Sequence, residues 1–328
     1  MRRFANSLPR EAVGDESRES QGSLEFAIAA RDELWLRGRC VERLLTHGIA
    51  RHRGGRIEAS DAPDSELIRI CDEQMGVARD AAHAIGDGRV RAVASARRAG
   101  AVVVTETTMT ITMHHVSIVT SAEFAAGDAA ILRDLVATET NMRYRKLPVV
   151  WRNGSAAVLL HEAIGHAAEH DAPPVGWPAW LRVTDEPSYP VDDCGGATRR
   201  SDLLRERPAS LRRESFRDIP LQRMSTIVVR QEGASFSLPE ERIEVHLVAG
   251  GNYDPLLDRV TVEIAVADLV ARGRKKRLRP FTIHESRQEV ARSLAGATGD
   301  PIRYPGVICS REGQEIAVGS HAPVMLTL

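Results

Sequence analysis

Between His161 and His170 the chain packs three histidines and two glutamates into ten residues, directly behind the apolar run Ala156 to Leu160. Two histidines that share an ion from one face of a helix normally stand at i and i+4, whereas His161 and His166 stand at i and i+5. At about 100° per residue their rings would point roughly 140° apart on a regular helix. If the pair is to chelate, the helix has to distort. A π-bulge with i→i+5 closure, or a helix end at Gly165, would bring both rings to one side, so an irregularity at Gly165 is expected.

In that arrangement His161 and His166 hold Zn²⁺ through neutral imidazoles, and Glu162 acts on the metal-bound water as general base. A catalytic zinc usually has three protein ligands and one open position. The third comes from elsewhere: Glu169 is near in sequence, and Cys309 is the thiolate candidate, in Cys309-Ser310-Arg311-Glu312-Gly313-Gln314. A competing reading takes His166-Ala167-Ala168-Glu169-His170 as an inverted H-x-x-E-H motif with both histidines on one face. It needs a downstream glutamate, with Glu240, Glu241 and Glu244 as loose candidates, and leaves His161, Glu162 and Cys309 without a role. In a metal-free reading the histidines line a buried polar helix and Cys309 is a core thiol. The other cysteines, Cys40, Cys71 and Cys194, form no C-x-x-C pair, which disfavours a disulfide framework or zinc ribbon. His114 and His115 fall in a strand stretch, where adjacent residues face opposite sides and do not readily share an ion.

A net charge of −1 gives no global pull towards nucleic acid, and the apolar runs are far shorter than the roughly 18 residues of a membrane span. Without an apolar segment behind Arg2 and Arg3, a cytoplasmic protein is expected. Six cations between Arg272 and Arg279 read as a solvated hairpin tip, with nucleic-acid binding as the lesser alternative. No G-x-S-x-G, G-x-x-x-x-G-K or G-x-G-x-x-G pattern points to a serine hydrolase, nucleotidase or dinucleotide enzyme. Residues 1–22 have the composition of a disordered tail.

Gly54-Gly55 signals a hairpin, Asp64 and Gly86 bracket a helix, Val102 to Thr120 reads as strands, and a helix follows over roughly Ala122 to Thr138. Short apolar stretches separated by prolines and glycines follow Pro173, with one helix opened by the Ser286/Glu289 capping box and stopped by Gly296. The fold class expected is α+β in two domains. Residues 23–145 form a mixed α/β domain, and residues 146–328 a sheet-rich one with the metal-binding helix at its start.

The string HEAIGHAAEHD, Arg223-Met224-Ser225, Val248-Ala249-Gly250-Gly251 with Asp254-Pro255, the Ala297 to Asp300 turn, and C-x-x-x-G-Q followed by Val318-Gly319 resemble the TldD/PmbA metallopeptidases in the same order. The resemblance spans roughly Val149 to Leu328, behind a shortened N-terminal part, and its two most specific motifs lie 143 residues apart, from His166 to Cys309. It implies zinc held by His161, His166 and Cys309, Glu162 as catalytic base, and hydrolysis of a peptide or amide bond, on a small peptide or a biosynthetic intermediate. Glu169 and His170 then stand behind the ligands or line the substrate cavity. The family also implies a homodimer, or a heterodimer with a TldD/PmbA paralogue; from the charge and the short apolar runs, no nucleic-acid or membrane partner is expected. The alternative function is a non-catalytic scaffold subunit of such a complex.

Overall fold

The computed structural model describes residues 24–53, 56–114, 116–136, 146–215, 217–233 and 235–328; the tail expected at residues 1–22 lies outside them. The chain is mixed α+β and strand-rich, with one large sheet.

Its first part opens with a three-stranded meander. Strands β1 (Leu24–Leu36), β2 (Arg39–Arg53) and β3 (Arg56–Ser60) pair antiparallel, with Arg53 opposite Arg56 across the glycine pair, which itself lies outside the described residues. Helix α1 (Ser65–Ile85) follows, with the Asp64 carboxylate accepting from the Leu67 N–H at its start and Gly86 at its end, both as expected. Its buried stripe, Leu67, Cys71, Met75, Ala78, Ala82 and Ile85, packs on β1 and on β4 (Arg89–Ala99). Cys71 is one of these core residues, so its apolar position fits the reading of it as a small hydrophobe. Strands β5 (Val102–Met113) and β6 (Val116–Thr120) realise the Val- and Thr-rich stretch. His114 is not in a strand: it makes the left-handed turn between them, at φ 53°, and His115 is outside the described residues. Helix α2 (Ala125–Val136) completes this part.

The second part begins with β7 (Val149–Trp151) and a helical rod made of α3 (Ala156–Leu160), a π-helical turn (His161–His166) and α4 (Ala167–Glu169). Strand β8 (Leu181–Asp185), the two-residue strands β9 (Ser201–Asp202), β10 (Leu211–Arg212) and β11 (Leu221–Gln222), and β12 (Thr226–Gln231) come next. They are followed by β13 (Arg242–Asp254), β14 (Arg259–Ala271), β15 (Arg274–Arg277) and β16 (Phe281–Ser286). Helix α5 (Arg287–Ser293) has the expected Ser286/Glu289 capping box but ends before Gly296, because Leu294 already enters β17 (Leu294–Arg311). Likewise Ala297 to Asp300 is no turn: it is a register-shifted stretch of β17 opposite β18 (Gln314–Thr327).

Among the described residues the main path of the sheet runs β15-β14-β13-β7-β18-β17-β6-β5-β4-β1-β2-β3. The first part joins the second where Val119 of β6 pairs with Gly306 of β17. The main apolar core crosses this junction, taking in α1 and β4 on one side and β7, the helical rod and β13 on the other. No helix of the described residues is long and apolar enough to cross a membrane.

Candidate metal centre

The helical rod runs through the interior. Every residue from Gly154 to Gly165 is buried, so the apolar lead-in inserts the polar string into the interior. There the rod ceases to be α-helical, and His161–His166 close as a π-turn. The extra residue per turn brings the two rings to one side, with centroids 4.8 Å apart and planes perpendicular. Gly165 permits it. A Cβ at that position would lie 2.0 Å from Met224 Sδ, so the middle of the Arg223-Met224-Ser225 motif packs directly on the glycine backbone.

Cys309 arrives from the end of β17, three residues before the Glu312-Gly313 turn in which both φ angles are positive. Its Sγ lies 2.7 Å from His161 Nε2 and 3.2 Å from His166 Nε2. The three donors stand within 4.8 Å of one another and form the one group of the described residues that could hold a metal ion. Burial would raise the thiol's pKa, but the charges and hydrogen bonds of the two imidazoles outweigh it and hold Cys309 at about 5. Against the same desolvation, the thiolate lifts His161 above the ordinary histidine value and lifts His166 well above it.

Glu162 sits beside this trio, with Oε2 3.7 Å from His166 Nε2 and without a hydrogen-bond partner although buried. Burial pushes its carboxyl above the usual range. Gly251 makes room for it, since a Cβ there would meet Glu162 Cγ at 2.6 Å. The Val248–Gly251 motif is the bulged part of β13, where the register with β14 shifts repeatedly and the backbone comes close to the site. Glu169 lies outside this donor group. Its Oε2 lies 3.0 Å from His166 Nδ1 and its Oε1 accepts from the Met224 N–H, so it orients the ring from behind. Burial opposes its ionisation, but the His166 ring and Arg223 hold its pKa below normal. Arg223, fully buried, also donates to the Cys309 carbonyl oxygen.

The remaining motif residues fasten this frame. Gln314 accepts from the Glu214 N–H and donates to the Ile219 carbonyl, fixing the start of β18, while the Gly319 N–H donates to the Ser225 carbonyl. Asp185 Oδ1 accepts from the Ser225 and Thr226 N–H groups, and burial raises its pKa to about 6.

The inverted motif is not assembled. His170 is exposed at the mouth, beside Tyr253, and outside the donor group. Glu244 is committed to Arg152, Arg242 and Lys275, which hold its pKa at about 2 against the effect of burial. The basic hairpin tip likewise spends Lys275 on Glu244 and Arg277 on Asp268.

The trio and Glu162 open into a cavity of about 580 Å³. One wall is the Val248–Tyr253 stretch, another the Tyr304–Arg311 stretch of β17, and a third comes from β4 and β5, with Arg89, Arg91, Thr110 and Thr112. Sequence reasoning missed Arg89, Arg91 and Tyr304; the last both accepts from the Val248 N–H and donates to its carbonyl. No local pattern marks them, because the β4–β5 wall reaches the site only through long-range pairing.

No family model and no curated protein matches the chain. Among solved structures, TldE from Thermococcus kodakarensis matches over 93% of this chain and 96% of its own, at 12% identity and a TM-score of 0.53. The chain has the TldD/PmbA fold. Two further structures with this fold are proposed modulators of DNA gyrase. The one from Thermotoga maritima has 10% identity and a TM-score of 0.50, and the one from Bacteroides thetaiotaomicron 13% and 0.51; each match covers 93% of this chain and 94% of the other. Such coverage takes the TldD/PmbA fold through the N-terminal strands, where no sequence motif is visible. At these identities the likeness is one of fold.

Proposed function

We propose that this chain is a zinc-dependent peptidase or amidase of TldD/PmbA type, with His161, His166 and Cys309 as ligands and Glu162 as general base. The observation that carries the reading is the convergence of two imidazoles and a low-pKa thiol on one point, beside a carboxylate oxygen that has no partner. Two nitrogens and one thiolate are a donor set that suits zinc and leaves a position open. When bound, the ion would polarise a carbonyl and make water acidic enough to react near neutral pH.

Glu162 would take the proton from water at the orphaned Oε2 and hold it within reach of a leaving amine. Glu169 keeps His166 in the tautomer that presents Nε2 to the cluster. The cavity volume falls in the range of small-molecule and short-peptide sites. We further propose that residues 23–145 and 146–328 act as two domains, the first supplying a wall and the second the ligands. Pairing with a second copy or with a paralogue belongs to the same reading.

Glu162→Gln tests it. The variant should keep the parent's zinc content and lose at least about a hundredfold in hydrolysis of short unstructured peptides. Full activity in Glu162→Gln would remove the base, and a zinc-loaded parent inactive on any peptide or amide would favour the scaffold role.

A further inference from the structure

Charge in the cavity is unevenly distributed. Arg311 lies two residues beyond Cys309 on β17, so both side chains leave the same face roughly 7 Å apart along the strand. Arg89 and Arg91, likewise two apart on β4, pair with Thr112 and Thr110 of β5 and line the same cavity. Arg91 is neutralised by Asp32, with contacts of 2.7 to 3.2 Å, and Glu315 stands 4.0 Å from it.

The other two cations are matched less closely. Arg311 Nη1 donates to the Gln222 carbonyl at 3.4 Å and lies 3.8 Å from Glu169, which already serves His166 and Met224, while its Nε, buried and without a hydrogen-bond partner, lies 3.8 Å from Glu312. Arg89 is exposed and has no ion pair among the described residues. The carboxylates that line the cavity are Glu162, beside the ligand trio, and Glu315. An exposed cation costs nothing, but a guanidinium nitrogen buried without a hydrogen bond, a strand repeat from the cluster, can still take an acceptor.

We propose that the cavity selects substrates carrying a free carboxylate close to the bond to be cleaved, with Arg311 and Arg89 as the residues that bind it. The planar guanidinium fork suits a carboxylate. This specificity rests on the hydrolytic reading above, yet it can be tested by binding alone.

The experiment uses the Glu162→Gln protein and calorimetric titration with N-acetyl-tri-alanine, its C-terminal amide, and an amide with aspartate as its last residue. The free acid should bind at least about tenfold tighter than the plain amide. That preference should fall to within about twofold when Arg311→Gln is added, with the fold checked by circular dichroism. Arg89→Gln, at an exposed position, repeats the test should Arg311→Gln fail to fold. If the aspartate amide binds like the acid, the carboxylate is taken from a side chain; if it binds like the plain amide, from the chain terminus. Equal binding of acid and plain amide, no binding of either, or a preference that survives the arginine substitution overturns the proposal. Because turnover is not read, a parent inactive on every substrate would sink the hydrolytic reading without producing any of these outcomes.

Discussion

At the site, some residues touch the Cys309 sulfur and others hold what touches it. Glu169 belongs to the second kind, and its removal should show in metal affinity. Glu169→Gln is expected to weaken zinc binding by about 10- to 100-fold while the chain stays folded, measured by competition with a chelator; unchanged affinity would deny it the orienting role. Gly165 is the tightest approach in the rod. Gly165→Ala forces Met224 aside and should lower stability by about 1–3 kcal/mol, with partial recovery in the Gly165→Ala/Met224→Ala double variant. Asp185 gives a pH-dependent test. Its folded pKa of about 6 is raised above its unfolded value, so its contribution to stability is fully present below pH 4 and lost as pH rises through 6. Asp185→Asn keeps the Oδ1 acceptor and cannot ionise, so its stability relative to the parent should rise by about 2 kcal/mol between pH 4 and 8 in urea unfolding. A difference that stays flat across that range would contradict the assignment.

At the scale of elements, the π-turn is what turns an i, i+5 pair towards one point; a distortion at Gly165, as a π-bulge or a helix end, was legible from the spacing once the pair is taken to chelate, because a regular helix points the rings apart. The caps of α1 and α5 were equally legible, since Asp64, Gly86 and the Ser286/Glu289 pair act locally. Strand extents were not. Gly250-Gly251 and Ala297 to Asp300 look like breaks, but sheet pairing carries β13 and β17 through them as bulges, and only tertiary contact with Glu162 or β18 decides that. His114 was misplaced for the opposite reason: a local left-handed turn overrode a run of β-formers. The β17–β18 hairpin presents Cys309 through the Glu312-Gly313 turn, so Gly313→Val, at φ 80°, should cost about 1–2 kcal/mol and lower the melting temperature while leaving zinc stoichiometry intact. Loss of zinc without loss of stability would mean that the turn does more than join two strands.

On the scale of the whole molecule, the site is built from parts distant in sequence. The rod supplies two donors and the carboxylate, β17 the thiol, and β4 with β5 a cavity wall; the sheet path through β6 and β17 brings that wall into place. The C-terminal motifs were readable through their resemblance to a known family, whereas the arginines of β4 follow ordinary strand alternation and carry no signature. The central claim is that His161, His166 and Cys309 hold one metal ion. Elemental analysis of zinc per chain, in the parent, Cys309→Ser and His170→Ala purified under one protocol, tests it most directly. About one zinc is expected in the parent and in His170→Ala and essentially none in Cys309→Ser; zinc kept by Cys309→Ser and lost by His170→Ala, or a parent that takes up none when it is supplied, would contradict a site of two histidines and one cysteine.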